Sequence, residues 1–354
     1  MSSSKAFRHL DGPLGRQVQA EGRRYLYFGG TAYLGIPVDP DFLTLYQEGL
    51  RRFGINNGTS RNNNIQLGIY DQAEREAASR FGAADSLILS SGYLAAQLCV
   101  HSLSSAGQLE YAPGCHPAVW LGNPDVAAGG FTSWGESFVA RVNASNEANW
   151  VLVSNSMNNL LPEIYDFSFL KRIAADKRIL LLVDDSHGIG VLDGGKGVCR
   201  GLEALFAAEN PNIEVIVVAS MAKALGIDAG LILGTRSRIA AFRRTNEFVG
   251  ASPPAAAALH AFIQGEPLYQ KAFLKLETLQ ERMHLALQGR AAFRYVPGFP
   301  VYLSQDPDLA NCLLEKGILI SSFPYPDQDG PALNRIILCS WHTEEDVEGL
   351  LKAL

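Results

Sequence analysis

The sequence predicts an α/β protein built on a mostly parallel sheet, with a smaller α+β domain at its C-terminal end. Three observations predict it. Short continuous apolar runs recur through the middle of the chain, the segments between them carry helical spacing, and after residue 255 the pattern changes to a long charged helix followed by short strands. At 354 residues, 47% hydrophobic and 19% charged, the chain suits one large or two modest domains with a buried core. Its divisions read as an N-terminal segment 1–38, a large domain 39–255 and a C-terminal domain 256–354.

Taken in order, "PDFLTLYQEGLRRFG" from residue 40 and "YDQAEREAASRFG" from 70 read as amphipathic helices leading into the sheet. The runs at 86 ("SLILSSG"), 149 ("NWVLVSNS"), 179 ("ILLLVDDSHG"), 213 ("IEVIVVAS") and 230 ("GLILGT") are apolar without alternation, as strands covered on both faces must be. "PEIYDFSFLKRIAADK", from 162, spaces Ile164, Phe167, Leu170 and Ile173 by three and reads as a helix before the 179 strand. "LYQKAFLKLETLQERMHLALQ", from 268, is a long charged helix, and the remainder reads as short strands.

Composition excludes several function classes. A net charge of −6, with lysines and arginines dispersed, leaves no footprint for nucleic acid. Five well separated cysteines (Cys99, Cys115, Cys199, Cys312, Cys339) without a C-x-x-C pair read as reduced thiols rather than disulfides or metal ligands. "MSSSKAFRHLDGPLG" has no apolar signal core, and no apolar run approaches the roughly 20 residues of a membrane helix. The expectation is a cytoplasmic protein that needs neither membrane nor metal.

In open parallel sheets ligands lie beyond the carboxyl ends of the strands, so the polar residues just after each apolar run are the candidates. After the first run, Ser91 and Gly92 open a helix whose N-terminal amides, including that of Tyr93, suit an anion, although Ser-Gly there also serves as a simple cap. Asp184 and His187 follow the 179 run, where a capping aspartate is the plainer reading. Ser220 and Lys223 follow the 213 run in "ASMAKALG". A lone lysine usually snorkels to water; one held among small apolar neighbours has a lowered pKa and becomes a nucleophile. His116 stands in the turn "PGCHPAVW", and Arg335 opens the late apolar run "RIILCSWH" with a planar fork suited to a carboxylate.

Two motifs are set aside. "HGIGVLDGG" has its third glycine one place late for G-x-G-x-x-G and opens no helix, and "SMAK" lacks the S-D-N and K-T-G companions of serine acyl-enzymes. One chemistry uses all five candidate places together. A pyridoxal-phosphate site requires a lysine for the Schiff base, a carboxylate for the pyridine nitrogen, amides and hydroxyls for the phosphate, a ring over the cofactor face, and an arginine for a substrate carboxylate.

With those residues in view, the sequence resembles the α-oxoamine synthases, fold-type I pyridoxal-phosphate transferases. "AYLGI" is similar to the family's N-Y-L-G-L, "FGINNGTSR" to G-x-G-G-S-R, "SSGYLAAQ" to S-G-F-x-A-N and "PGCHPAVW" to its S-H-A-S turn. "VDDSHGIG" is similar to V-D-D-A-H-G-x-G, "SMAKALG" to T-x-G-K-A-x-G and "RIILCSWHTEEDVEGLL" to the late R-x-x-x-T-A-x-H motif. Seven motifs in order, at comparable spacings, carry the resemblance.

The resemblance implies that Lys223 is the Schiff-base lysine and acid–base, Asp184 pairs with the pyridine nitrogen, His187 bonds the phenolic oxygen and His116 stacks on the ring. It implies a phosphate site of Ser91, Gly92, Tyr93 and Ser220, with Ser252 of "GASPP" reaching in from a second subunit. Arg335 holds the amino-acid carboxylate, and Thr31 and Asn155 stand at further substrate positions. The implied reaction joins a small amino acid to an acyl-CoA in a homodimer with shared sites. The chain departs from the family at Thr31 (asparagine there), Asn155 (glutamate) and Tyr70 (histidine), and about thirty residues precede "AYLG", fewer than is usual. A diverged aminotransferase, aldolase or decarboxylase working without acyl-CoA, and a non-catalytic pyridoxal-phosphate protein, are the alternative expectations.

Overall fold

The computed structural model describes residues 7, 9–207, 209–324 and 330–354. The chain opens with an antiparallel hairpin, β1 (Gln17–Ala20) and β2 (Arg23–Phe28). Helix α1 (Pro40–Phe53) begins on a proline whose missing N–H is no loss at that position, and Asp39 accepts bonds from the amides of Asp41 and Phe42. Helix α2 (Ile69–Phe81) buries Tyr70, Ala73, Ala77 and Phe81 along one face.

The large sheet follows. Strand β3 (Asp85–Leu89) runs into α3 (Gly92–Leu103); β4 (Gln108–Tyr111) and α4 (Phe131–Ala144) precede β5 (Asn149–Asn155). A small hairpin, β6 (Met157–Asn158) and β7 (Glu163–Ile164), leads to β8 (Arg178–Asp184), α5 (Cys199–Phe206), β9 (Ile213–Ser220) and β10 (Gly230–Gly234). The spatial order is β3-β10-β9-β8-β5-β4, parallel except for β10, which runs against both neighbours. Both faces are covered: Leu181, Leu182 and Val183 of β8, Val151 to Val153 of β5 and Ile216 of β9 are fully buried, as their unbroken apolar sequence requires.

Short helices α6 (Arg236–Phe242) and α7 (Asn246–Val249) lead to α8 (Ala256–Gln264), which packs on α1, and to the long α9 (Glu266–Leu287). Strands β11 (Phe293–Arg294) and β12 (Val301–Ser304), helix α10 (Leu309–Glu315), β13 (Ile318–Pro324), β14 (Ala332–Ile337) and α11 (Glu344–Ala353) complete the chain. They form a second sheet, β1-β2-β13-β14-β12-β11, in which β2 from the amino end pairs in parallel with β13. Arg16 reinforces that union through a two-pronged bond to Asp346, the capping-box residue of α11.

Two expectations are corrected. Residues 162–177 form no α-helix: the segment is the short strand β7, then a 3₁₀ turn at Ser168–Arg172. Spacing by three reflects burial of consecutive aromatics, because Tyr165 stacks on Phe131 at 3.8 Å while Phe167 and Phe169 meet the same ring edge-on. Asp166 then turns the chain by accepting from the Ser168 amide and hydroxyl. Arg335 does not open its strand but stands fourth in β14, paired on one side with Leu303 and on the other with Ser321.

All five cysteines are free thiols, four of them buried and Cys312 exposed. Among the described residues no helix is long and apolar enough to cross a membrane.

His342 reports how tightly the second sheet is closed. Its ring stacks on Phe28 at 4.1 Å, Nδ1 accepts the Cys339 amide and Nε2 donates to the Tyr27 carbonyl, all without access to water. Burial lowers its pKa from 6.5 to about 4, so the folded chain favours the neutral ring. Stability from this group is therefore complete above pH 6.5 and is lost as pH falls toward 4, by about 3 kcal/mol. Urea unfolding of the wild type and His342→Gln across pH 7.5 to 4 checks this; the wild-type stability should fall more steeply by that amount.

Candidate active site

Four parallel strands deliver their carboxyl ends to one edge of the large sheet. Register fixes the alignment: Asn155 of β5 pairs with Asp184 of β8, Asp184 with Val218 of β9, and Ser220 with Gly230, which itself pairs with Leu89 at the end of β3. The residues that leave this edge are those the sequence singles out.

The end of β8 is tied down on both sides. The Ser156 amide donates to the Asp184 carbonyl, the Asp185 amide donates to Val218, and the Ser220 amide donates to Ser186 Oγ at 2.8 Å. Asp184 accepts the Ser186 amide at Oδ1, which orients its carboxylate at the strand end. Its neighbour Asp185 is buried, accepts the Val198 amide, and is pushed up to about 7 by that burial.

Lys223 lies in the turn between β9 and β10, flanked by Ala222 and Ala224. Burial lowers its pKa, while the carboxylates of Asp184 and Asp185 act in the opposite sense. His187 is held well below the usual imidazole range by burial, and Lys223, Arg335 and His116 add to that effect. These four groups therefore lie within electrostatic reach of one another. The His187 ring is fixed by a 2.8 Å bond between its Nδ1 and the hydroxyl of Tyr33, a buried phenol whose pKa burial raises.

His116 occupies the turn after β4, largely exposed, with burial of its ring nitrogens and Lys223 lowering its pKa against Asp184. Asn155 anchors that turn from the end of β5, donating to the Gly114 carbonyl at 2.7 Å and accepting the His116 amide at 3.1 Å. Both ends of the amide are used, which no carboxylate could reproduce.

Helix α3 points its N-terminus at the same edge. Ser91 caps it by accepting the Leu94 amide, leaving amides of the first turn free. Glycine at 92 is a packing requirement: a Cβ there would stand 2.6 Å from Ser220 Cβ, so only glycine lets the helix start lie against the end of β9. Tyr93 follows, 64% exposed.

Arg335 arrives from the second sheet. It is buried, its guanidinium lies 4.9 Å from the Phe323 ring centroid, and one Nη donates to the Asn159 carbonyl in the β6–β7 turn. Among the described residues no carboxylate pairs with it, and its Nε–H has no acceptor. Burial lowers its pKa, the expected consequence of an unpaired cation.

The remaining candidates are more remote. Thr31 is half-buried in the turn after β2, two residues before Tyr33. Ser252 is exposed between α7 and α8 and bonds to none of these groups. Tyr70 is buried in α2, with Arg61 over its ring and its hydroxyl at the Pro254 carbonyl. Sequence reasoning passed over Tyr33, quoted only within "AYLGI", and Asp185, the second acid of "VDDS"; a doubled aspartate after a buried strand was the one available signal.

Residues 136–354 match the family description "Aminotransferase class I and II". The 8-amino-7-oxononanoate synthase of Alcanivorax borkumensis is 27% identical, the alignment covering 98% of this chain and 92% of that protein. That of Methylococcus capsulatus gives 27%, 98% and 92%. Among solved structures, Sphingomonas wittichii serine palmitoyltransferase superposes with a TM-score of 0.81 at 21% identity, covering 99% of this chain and 92% of the other. The 8-amino-7-oxononanoate synthase of Francisella tularensis gives 0.72 at 18% identity, covering 93% and 96%.

Proposed function

The chain belongs to the aminotransferase class I and II family, in the α-oxoamine synthase branch of its fold-type I enzymes, and from that premise we propose a pyridoxal-phosphate-dependent acyltransferase that joins a small amino acid to an acyl thioester. The observation that carries this reading is the convergence of Lys223, Asp184, His187 and an unpaired, buried Arg335 at one edge.

The donor set fits the cofactor. The free amides of α3, with Ser91 and the Ser220 hydroxyl brought close by Gly92, make an anion site for the phosphate. When bound, pyridoxal phosphate supplies a sink for the electron pair left at the α-carbon of an amino acid. Asp184 would hold a proton at the pyridine nitrogen. Tyr33, whose hydroxyl has no other acceptor, donates to His187 Nδ1, so the neutral imidazole carries its proton on Nε2 and can donate to the phenolic oxygen. His116, kept in place by Asn155, would cover one face of the ring.

Lys223 serves as covalent anchor and as the base that takes and returns the α-proton; its lowered pKa keeps the free amine available for both. Arg335 would receive the amino-acid carboxylate on its free Nε–H and orient the α-carbon toward Lys223. Thr31, beside Tyr33, is the residue placed to meet the acyl donor. The homodimer, with Ser252 crossing to the partner's phosphate site, belongs to the same proposal.

Release of free thiol from a series of acyl-CoAs, with glycine, alanine or serine as co-substrate, tests the reading. Thiol release that requires both one amino acid and one thioester supports it. If amino acids perturb the cofactor spectrum but no thioester is consumed, the chemistry is that of an enzyme working without acyl-CoA.

A further inference from the structure

The largest cavity of the molecule is not at Lys223. A space of about 720 Å³ opens between the loop after β8, helix α5 and helix α9, and none of Lys223, Asp184, His187 or His116 lines it. Its size suits a small organic ligand. Its chemistry divides sharply. Leu192, Leu202 and Phe273 give it an apolar wall, continued by Ile164, a large aliphatic side chain left 38% exposed.

The charged groups are all of one sign. Asp166 and Asp193 line one part and Glu277 and Glu281, one turn apart on α9, another, while no lysine or arginine lines any part of it. None of the four carboxylates forms an ion pair with a described residue; Asp166 is bonded only to Ser168. A concave site walled by low-dielectric side chains focuses such an uncompensated negative potential.

Gln280, between the two glutamates in sequence, adds an independent observation. Its side chain lines the cavity yet is only 6% exposed, and its carbonyl oxygen has no donor. Rotation about its last bond presents that oxygen to the cavity, where an N–H would satisfy it. His284, one turn further along α9, likewise lines the cavity with Nε2 unpartnered.

We propose that this cavity is a ligand site, separate from the site of the acyl-transfer reading, for an amphiphilic monocation: an amine bearing a short apolar chain or ring. The chain or ring lies along Leu192, Leu202 and Phe273, and the ammonium N–H groups meet Glu277, Glu281 and the Gln280 carbonyl. The inference does not depend on the chemistry at Lys223.

The test is calorimetric titration of the full-length holoprotein with N,N-dimethylhexylamine, a tertiary amine that cannot form a Schiff base, beside hexanoate and hexanol. One saturable amine site per chain is expected, with no binding of hexanoate at the same concentrations. Glu277→Gln with Glu281→Gln should weaken the amine at least tenfold. Gly201→Trp should abolish binding by filling the space, since a Cβ at Gly201 meets nothing within 4 Å and the helix can accept it. Melting curves of both variants verify that they are folded. Failure of the wild type to bind the amine saturably, equal affinity for hexanoate or hexanol, or undiminished binding by folded Gly201→Trp overturns the proposal.

Discussion

Replacing Lys223 by alanine is expected to abolish the absorption band of lysine-linked pyridoxal phosphate and to lower thiol release by about 10⁴-fold, the upper range for a positioned acid–base group. The band should be present in the wild type and should shift on addition of the amino acid that the enzyme uses. The variant should fold, because the lysine sits in a turn between two alanines and its removal takes a partly desolvated charge out of the site. Small primary amines supplied in solution should restore a fraction of the proton transfer. Identical spectra for wild type and variant, with cofactor present, would sink the assignment of the lysine.

Arg335 offers the second large effect, with function and stability moving in opposite directions. Arg335→Leu should raise KM for the amino acid by roughly 10- to 150-fold, the equivalent of one charge-assisted interaction of about 1.5–3 kcal/mol. Because the guanidinium is buried with its Nε–H unaccepted and no carboxylate beside it, replacing it with an apolar residue should leave the melting temperature equal or higher. Only the bond to the Asn159 carbonyl is lost. Arg335→Lys should recover little, since a point charge cannot reproduce the fork. A KM unchanged in a folded Arg335→Leu protein would remove the arginine from substrate binding.

Much of this architecture was legible because burial on both faces leaves no alternation to misread. The five apolar runs at 86, 149, 179, 213 and 230 are strands β3, β5, β8, β9 and β10, and the residues just after them gather at one edge by register alone. Strand β4, "QLEY", was illegible because it is a short edge strand with one buried position. The 162–177 segment misled because aromatic packing on Phe131 imitates helical spacing. Within the site, chemistry-bearing side chains could be read from sequence, whereas their supports could not. Tyr33 reaches His187 across 154 positions, and Arg335 leans on Asn159 across 176, contacts to which no local pattern testifies.

The parallel pairing of β2 with β13, strengthened by the Arg16–Asp346 bond across 330 positions, has a consequence for how the protein is made. At a synthesis rate of about 5–20 residues per second, the first hairpin must wait roughly 15 to 60 s for its partner strand to emerge. During that interval β2 presents an open edge, a template for any other extended segment. The large sheet, complete by Gly234, can collapse while the ribosome is still at work, whereas the second sheet closes only after the last strands are released. Ribosome-bound chains truncated before residue 318 should therefore protect the large sheet from protease while leaving residues 17–28 open to cleavage and to capture by chaperones.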